Sequence, residues 1–165
     1  MGEVLLFAGD REYFSDDPPA PLRFLLSNAL QSVDPLQTEQ LLLQARKGWP
    51  EIADAHIALY KFYFVSVRYA DAERAVWQAL NSAAREAGFS RNYRLLSPAS
   101  ADWKLRTGPI RLYLFSLKAM GVIRLRQAKV RLARIVLEKL LELDPVDEIG
   151  GGAFLQIARS FDEDE

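Results

Sequence analysis

The chain has 165 residues, half of them hydrophobic and 26% charged, with a net charge of −1 and no cysteine; this is the balance of a folded chain of one-domain size. The missing thiols exclude disulfides, thiolate metal sites and cysteine nucleophiles, and the single histidine excludes multi-histidine metal sites. No apolar run approaches the ~18–20 residues of a bilayer span. The opening "MGEVLLFA" is acidic, with too short an apolar part for a secretory leader, so a cytoplasmic address and no membrane partner are expected.

Proline and capping signals divide most of the chain into predicted helices. The first starts near Pro21, with Leu22, Leu25, Leu26 and Ala29 on one face. Asp34 followed by Pro35 is a start signal for the second, because proline at the first helical position loses only an amide that has no helical partner. "PEIADAHIALYKFYFVSV" predicts a long aromatic helix, and a fourth runs from about Ala70 to Ala87, where Gly88 can terminate it. Thr107 and Pro109 open a fifth, Lys129 to Leu143 forms a sixth, and Asp147 caps a last helix running to about Ser160. The longest period-2 stretch is "EVLLF" near the start. The fold class expected is all-α, in one domain over residues 1–165.

Spacing within these helices recurs. Ala45 returns as Ala79, and His56, Leu59, Tyr60 and Tyr63 are followed by Ala72, Val76 and Ala79. Leu117, Met120, Gly121 and Arg124 are followed by Ala133, Leu137, Leu140 and the closing "LELDP". This pattern resembles the tetratricopeptide repeat, a helix–turn–helix unit of about 34 residues with W-x2-L-G-x2-Y, then A-x3-F, then P. The step from Ala45 to Ala79 is one such length. Three registers fit, at about 19–52, 53–86 and 114–147, with Phe154, Leu155 and Ala158 on a capping helix at about 147–161. His56 and Leu117 stand where the motif has Trp, Tyr60 and Leu26 where it has Gly, and Arg124 where it has Tyr. Ala72 and Ala133 are more than one repeat apart, so the stretch 87–113 is inserted between the second and third registers. The insertion carries Phe89, Tyr93, Leu95, Leu96 and Trp103, which predicts either packing over one end of the helices or covering or completing a groove. The resemblance implies a right-handed α-solenoid of about three antiparallel helix pairs with a C-terminal capping helix.

Chemistry-bearing motifs are sparse. His56 falls where the repeat has a packing aromatic, and the acidic pairs Asp16-Asp17 and Asp147-Glu148 lie at helix starts, where carboxylates cap or solvate. Gly150-Gly151-Gly152 lacks the lysine and preceding strand of a phosphate loop and reads instead as room for the last helix to pack closely. The chain is therefore expected to be non-catalytic, with no cofactor and no metal.

Charge is unevenly spread. Residues 104–139 hold ten bases against Glu138 alone, and residues 140–165 hold eight acids against one base. On a helical wheel of 100° per residue, Arg111, Lys118 and Arg126 fall within about 80°. The resemblance implies that the leading helix of each repeat lines a concave groove. The implied lining is Arg23 with Ser27 and Leu30, then Ile57, Lys61 and Phe64, then Lys118, Val122, Leu125 and Arg126. Such a face, apolar with a few cations, suits an amphipathic or acidic protein segment, as in an adaptor, chaperone or assembly factor. Two other partners are open: RNA on the basic 104–134 region and the insertion, or a second copy of the chain, in a homo-oligomer closed through the groove.

Overall fold

A computed structural model describes residues 14–15, 17–105 and 108–163. These form seven α-helices: α1 (Ala20–Gln31), α2 (Pro35–Gly48), α3 (Ala53–Val65), α4 (Tyr69–Ala87), α5 (Gly108–Arg126), α6 (Val130–Leu143) and α7 (Gly152–Glu163). Three single 3₁₀ turns, at 93–95, 98–100 and 103–105, fill the connection between α4 and α5, and no strand occurs among the described residues. The "EVLLF" stretch and Thr107 lie outside them. The all-α expectation holds. The chain divides into two compact units, Met1–Gln78 and Ala79–Glu165, where the sequence suggests a single domain. The boundary falls inside α4 and not in a linker.

Local chemistry explains most helix ends. The Asp34 carboxylate accepts the Leu36 amide at 3.1 Å at the start of α2. Gly88, at φ 84°, closes α4, and the amides of Gly88 and Phe89 both return to Ala84 O. The last helix begins later than its predicted cap. Asp147 lies ahead of α7, and its side chain still reaches forward to accept the Gly152 amide at 3.0 Å.

In the first unit, α1 packs on α2 and α2 on α3. Leu22, Leu26 and Ala29 of α1, spaced for one helical face, are buried. Helix α3 is enclosed over most of its first half: Ala53 to Ile57, Leu59 and Tyr60 are all buried. In the second unit, α5 packs on α6, and α6 on α7. The last 3₁₀ turn lies on α5 and the first on α6. Two glycines permit these approaches. A Cβ on Gly121 would fall 2.5 Å from Leu137 Cγ, and one on Gly151 would fall 2.5 Å from a Leu140 methyl.

The α3–α4 and α5–α6 connections are the same turn. They occupy 66–68 and 127–129, with Val67 (φ 61°) and Ala128 (φ 62°) in the left-handed region. The amides of Val67 and Arg68 return to Phe64 O and Tyr63 O, and those of Ala128 and Lys129 to Leu125 O and Arg124 O. This is the Schellman pattern of two bonds closing a helix end. Ala72 and Ala133 then donate to Arg68 O and Lys129 O, both at 2.9 Å. Every donor and acceptor in one set has its counterpart in the other, at one constant offset along the chain. The α1–α2 turn differs, because the Asp34 amide donates to Ser32 Oγ instead of a helix carbonyl.

The insertion is folded onto its own unit. Phe89, Trp103 and Tyr113 of α5 form one aromatic cluster with ring centroids 4.9–6.1 Å apart, and Trp103 Nε1 donates to Ser97 O at 2.9 Å. Arg124 donates to Tyr93 Oη at 3.4 Å and Leu132 O at 3.3 Å, while Lys139 donates to Leu96 O. Leu95, expected to help pack this segment, is exposed.

Because Leu137 sits against Gly121, Gly121→Val is expected to lower unfolding stability by about 1–3 kcal/mol through overpacking. Urea denaturation followed by circular dichroism would check this, with the native helical signal unchanged.

Candidate partner-binding surface

The residues expected to line one groove have different fates. Ile57, Phe64, Lys118 and Val122 are buried, Lys61 and Leu125 are half-buried, and Arg23 and Arg126 are exposed. The first four are core residues, which corrects their placement on an open groove lining. The physical reason is that α3 and α5 are covered on most faces, so these four positions have no solvent side.

Lys118 shows how. Its side chain, 8% exposed, donates to Ile149 O at 3.1 Å. The ammonium lies 5.9 Å from the Phe115 ring centre and 5.8 Å from that of Phe154 on α7, within cation–π range. Burial pushes its pKa down, opposed by the Asp147 carboxylate. Lys118 therefore joins α5 to the loop before α7 and to α7 itself. Glycine at 150 leaves space for it, since a Cβ there would stand 3.4 Å from Nζ. The triple glycine thus has a lysine beside it, brought in from the middle of α5. Its helix start is already occupied by the Asp147 carboxylate.

The basic block is partly internal for the same reason. Arg124 is buried, and Lys139 is engaged with Leu96 O and Glu142. Lys104, Arg126, Lys129 and Arg131 are exposed.

Helix α1 keeps an open side. Leu30, Arg23, Ser27, Gln31 and Phe24 occupy an arc of about 120° at 100° per residue, opposite the buried Leu22, Leu26 and Ala29. Leu30 is 88% exposed and Phe24 67%. Phe24 is not one of the implied groove positions, although it adjoins Arg23, whose place on this face follows from the repeat spacing.

Two further groups of the first unit were not legible from spacing. Arg68 donates to both Glu39 oxygens at 3.0 Å and to Asp71 at 2.9 Å, 4.7 Å above the Tyr63 ring. The Tyr63 hydroxyl donates to Glu39 at 2.6 Å. The Arg68 hydrogen bonds hold Glu39 below the usual carboxylate range, while burial, then Glu39, push Tyr63 up to about 12. With Arg68 42% exposed, the network fixes geometry at the α3–α4 turn more than it stabilises. The second group is Asp54, whose carboxylate accepts the Phe14 amide at 2.6 Å and the Ser15 amide at 2.8 Å.

His56 is buried, its Nε2 2.7 Å from Pro50 O and its Nδ1 without a partner among the described residues. The carbonyl requires Nε2–H, so Nδ1 carries the lone pair. Burial, with Arg46 nearby, depresses its pKa. No group of three or more His, Asp or Glu side chains among the described residues could hold a metal ion, and no helix among them is long and apolar enough to cross a membrane. Comparison with protein-family models, curated proteins and solved structures found no match for this chain.

Two outcomes follow. Lys118→Glu is expected to cost about 3–5 kcal/mol by placing an unpaired charge in the core, whereas Lys118→Met keeps the packing and stays within about 1.5 kcal/mol; urea midpoints of the two variants would separate them. The His56 imidazole is neutral in both the folded and the unfolded chain well above pH 6.5, so its contribution to stability is full there. Below that the unfolded chain takes up the proton first, and stability falls by up to about 1.4 kcal/mol per pH unit towards the depressed folded pKa. His56→Phe is expected to flatten that dependence between pH 7 and 5 in urea melts.

Proposed function

We propose that this chain is a non-catalytic interaction module, a degenerate tetratricopeptide-like array of helix pairs that captures a protein segment and acts as an adaptor, chaperone or assembly factor. The kinship with the repeat is supported by the turn shared between α3–α4 and α5–α6, bond for bond. It is supported too by the buried Ala72 and Ala133 beyond those turns and by Gly121 at a close helix contact.

The observation that carries the binding reading is the face of α1. Monomeric proteins seldom leave large apolar side chains grouped in water without use, and here Phe24 and Leu30 flank Arg23 on a helix whose opposite side is core. Apolar anchors beside one cation suit an amphipathic partner helix carrying an acidic group. The contact is thereby moved from a groove along three helices to the leading helix of the first pair. The competing reading, RNA binding on Lys104, Arg126, Lys129 and Arg131, draws on exposed cations of the other unit and would show steep salt dependence.

Affinity capture with the wild-type chain and with Phe24→Ser/Leu30→Ser tests the proposal. These exposed positions are expected to change stability by no more than about 0.5 kcal/mol each, while capture of a discrete, nuclease-resistant partner falls at least tenfold. Capture unchanged by the double substitution would overturn it. Recovery of nucleic acid that is lost at high salt and on Arg131→Glu would also overturn it, in favour of the basic surface.

A further inference from the structure

The Phe14–Ser15 contact on Asp54 is unlike the other carboxylate contacts of the first unit. Asp54 is the second residue of α3 and only 5% exposed. Among the described residues its donors are two successive backbone amides from 40 and 39 residues earlier, one to each oxygen. Successive amides converge on one anion only where the backbone bends, and the chain is bent at both residues. Both bonds come from main chain, so the site reads backbone form and not residue identity. From there the chain passes through the buried Pro18 and on by Pro19 directly into α1, the helix that carries Phe24 and Leu30.

We propose that Asp54 is a receptor for a backbone bend, occupied in this structure by the chain's own Phe14–Ser15 strap as an autoinhibitory contact, and that a bent segment of the partner protein takes the strap's place. This inference rests on the reading of the chain as a module that binds protein segments. A buried carboxylate stripped of both donors would bear its full desolvation cost. Release of the strap is therefore an exchange, in which the incoming segment must supply two adjacent N–H groups. A tethered strap competes at an effective concentration on the order of millimolar, which keeps weak segments out.

The probe is a fluorescent synthetic peptide of residues 12–20, added to the full chain. In Phe14→Pro/Ser15→Pro the strap has no amide protons left to donate. The peptide is expected to bind that variant at least tenfold more tightly than wild type, and to lose the gain when Asp54→Asn is added. In wild type, the Phe14 and Ser15 amides are expected to exchange with solvent well before the Arg68 and Lys129 amides of the shared turns, a measurement that does not depend on how the variants fold. Equal peptide affinity for wild type and the proline variant would overturn the proposal. So would exchange of the two strap amides only on global unfolding, or a concentration-dependent dimer of wild type abolished by Asp54→Asn, which would assign the site to a second copy. Loss of capture by the Phe24 and Leu30 variants does not involve Asp54, so failure of the module reading and failure of the strap are separately visible.

Discussion

Helix α5 has no solvent side over nine consecutive residues: every residue from Ser116 to Arg124 is buried. The rest of the second unit is arranged around that constraint. A helix enclosed on all faces must either be wholly apolar or supply partners for whatever polar groups it carries. This one carries a lysine and an arginine. The protein stands in for water around both, Lys118 with a carbonyl and two aromatic faces, Arg124 with a tyrosine hydroxyl and a carbonyl.

Two of those partners lie in the irregular parts of the unit. Ile149 precedes α7, and Tyr93 belongs to the insertion; Lys139 of α6 likewise reaches Leu96 in the insertion. The cations thus serve as ties that draw loops onto the helix pair. Hydrogen bonds to charged groups are worth about 1.5–3 kcal/mol, but desolvation offsets much of that gain. Their contribution is better described as fixing where the insertion and α7 sit. A block of positive charge that looks like a nucleic-acid surface on a helical wheel is in part scaffolding, and the net charge available to a partner is smaller than the sequence count.

The first unit solves a different problem. Its enclosed helix, α3, has one buried carboxylate and one buried imidazole, and each is met by backbone: amides for Asp54, the Pro50 carbonyl for His56. Its outer helix, α1, has ordinary amphipathic burial on one side and large apolar groups on the other. Exposed apolar groups and enclosure are therefore separated by helix within this unit.

Helix positions, the Asp34 cap, the Gly88 stop and the recurrence of Ala45 as Ala79 were legible in the sequence, because they depend on neighbours within a few residues and on periodicity. The roles of Gly121 and Gly151 as close-contact points were legible for a related reason, since a missing side chain in an apolar stretch has few other uses. Which face of each leading helix stays open was not. Lys118 and Val122 have the spacing of groove residues but are buried, and Asp54 finds its amides 40 residues away. Local spacing determines which residues share a face. Only the tertiary structure decides what is laid over that face, because burial is a sum over groups distant in the chain.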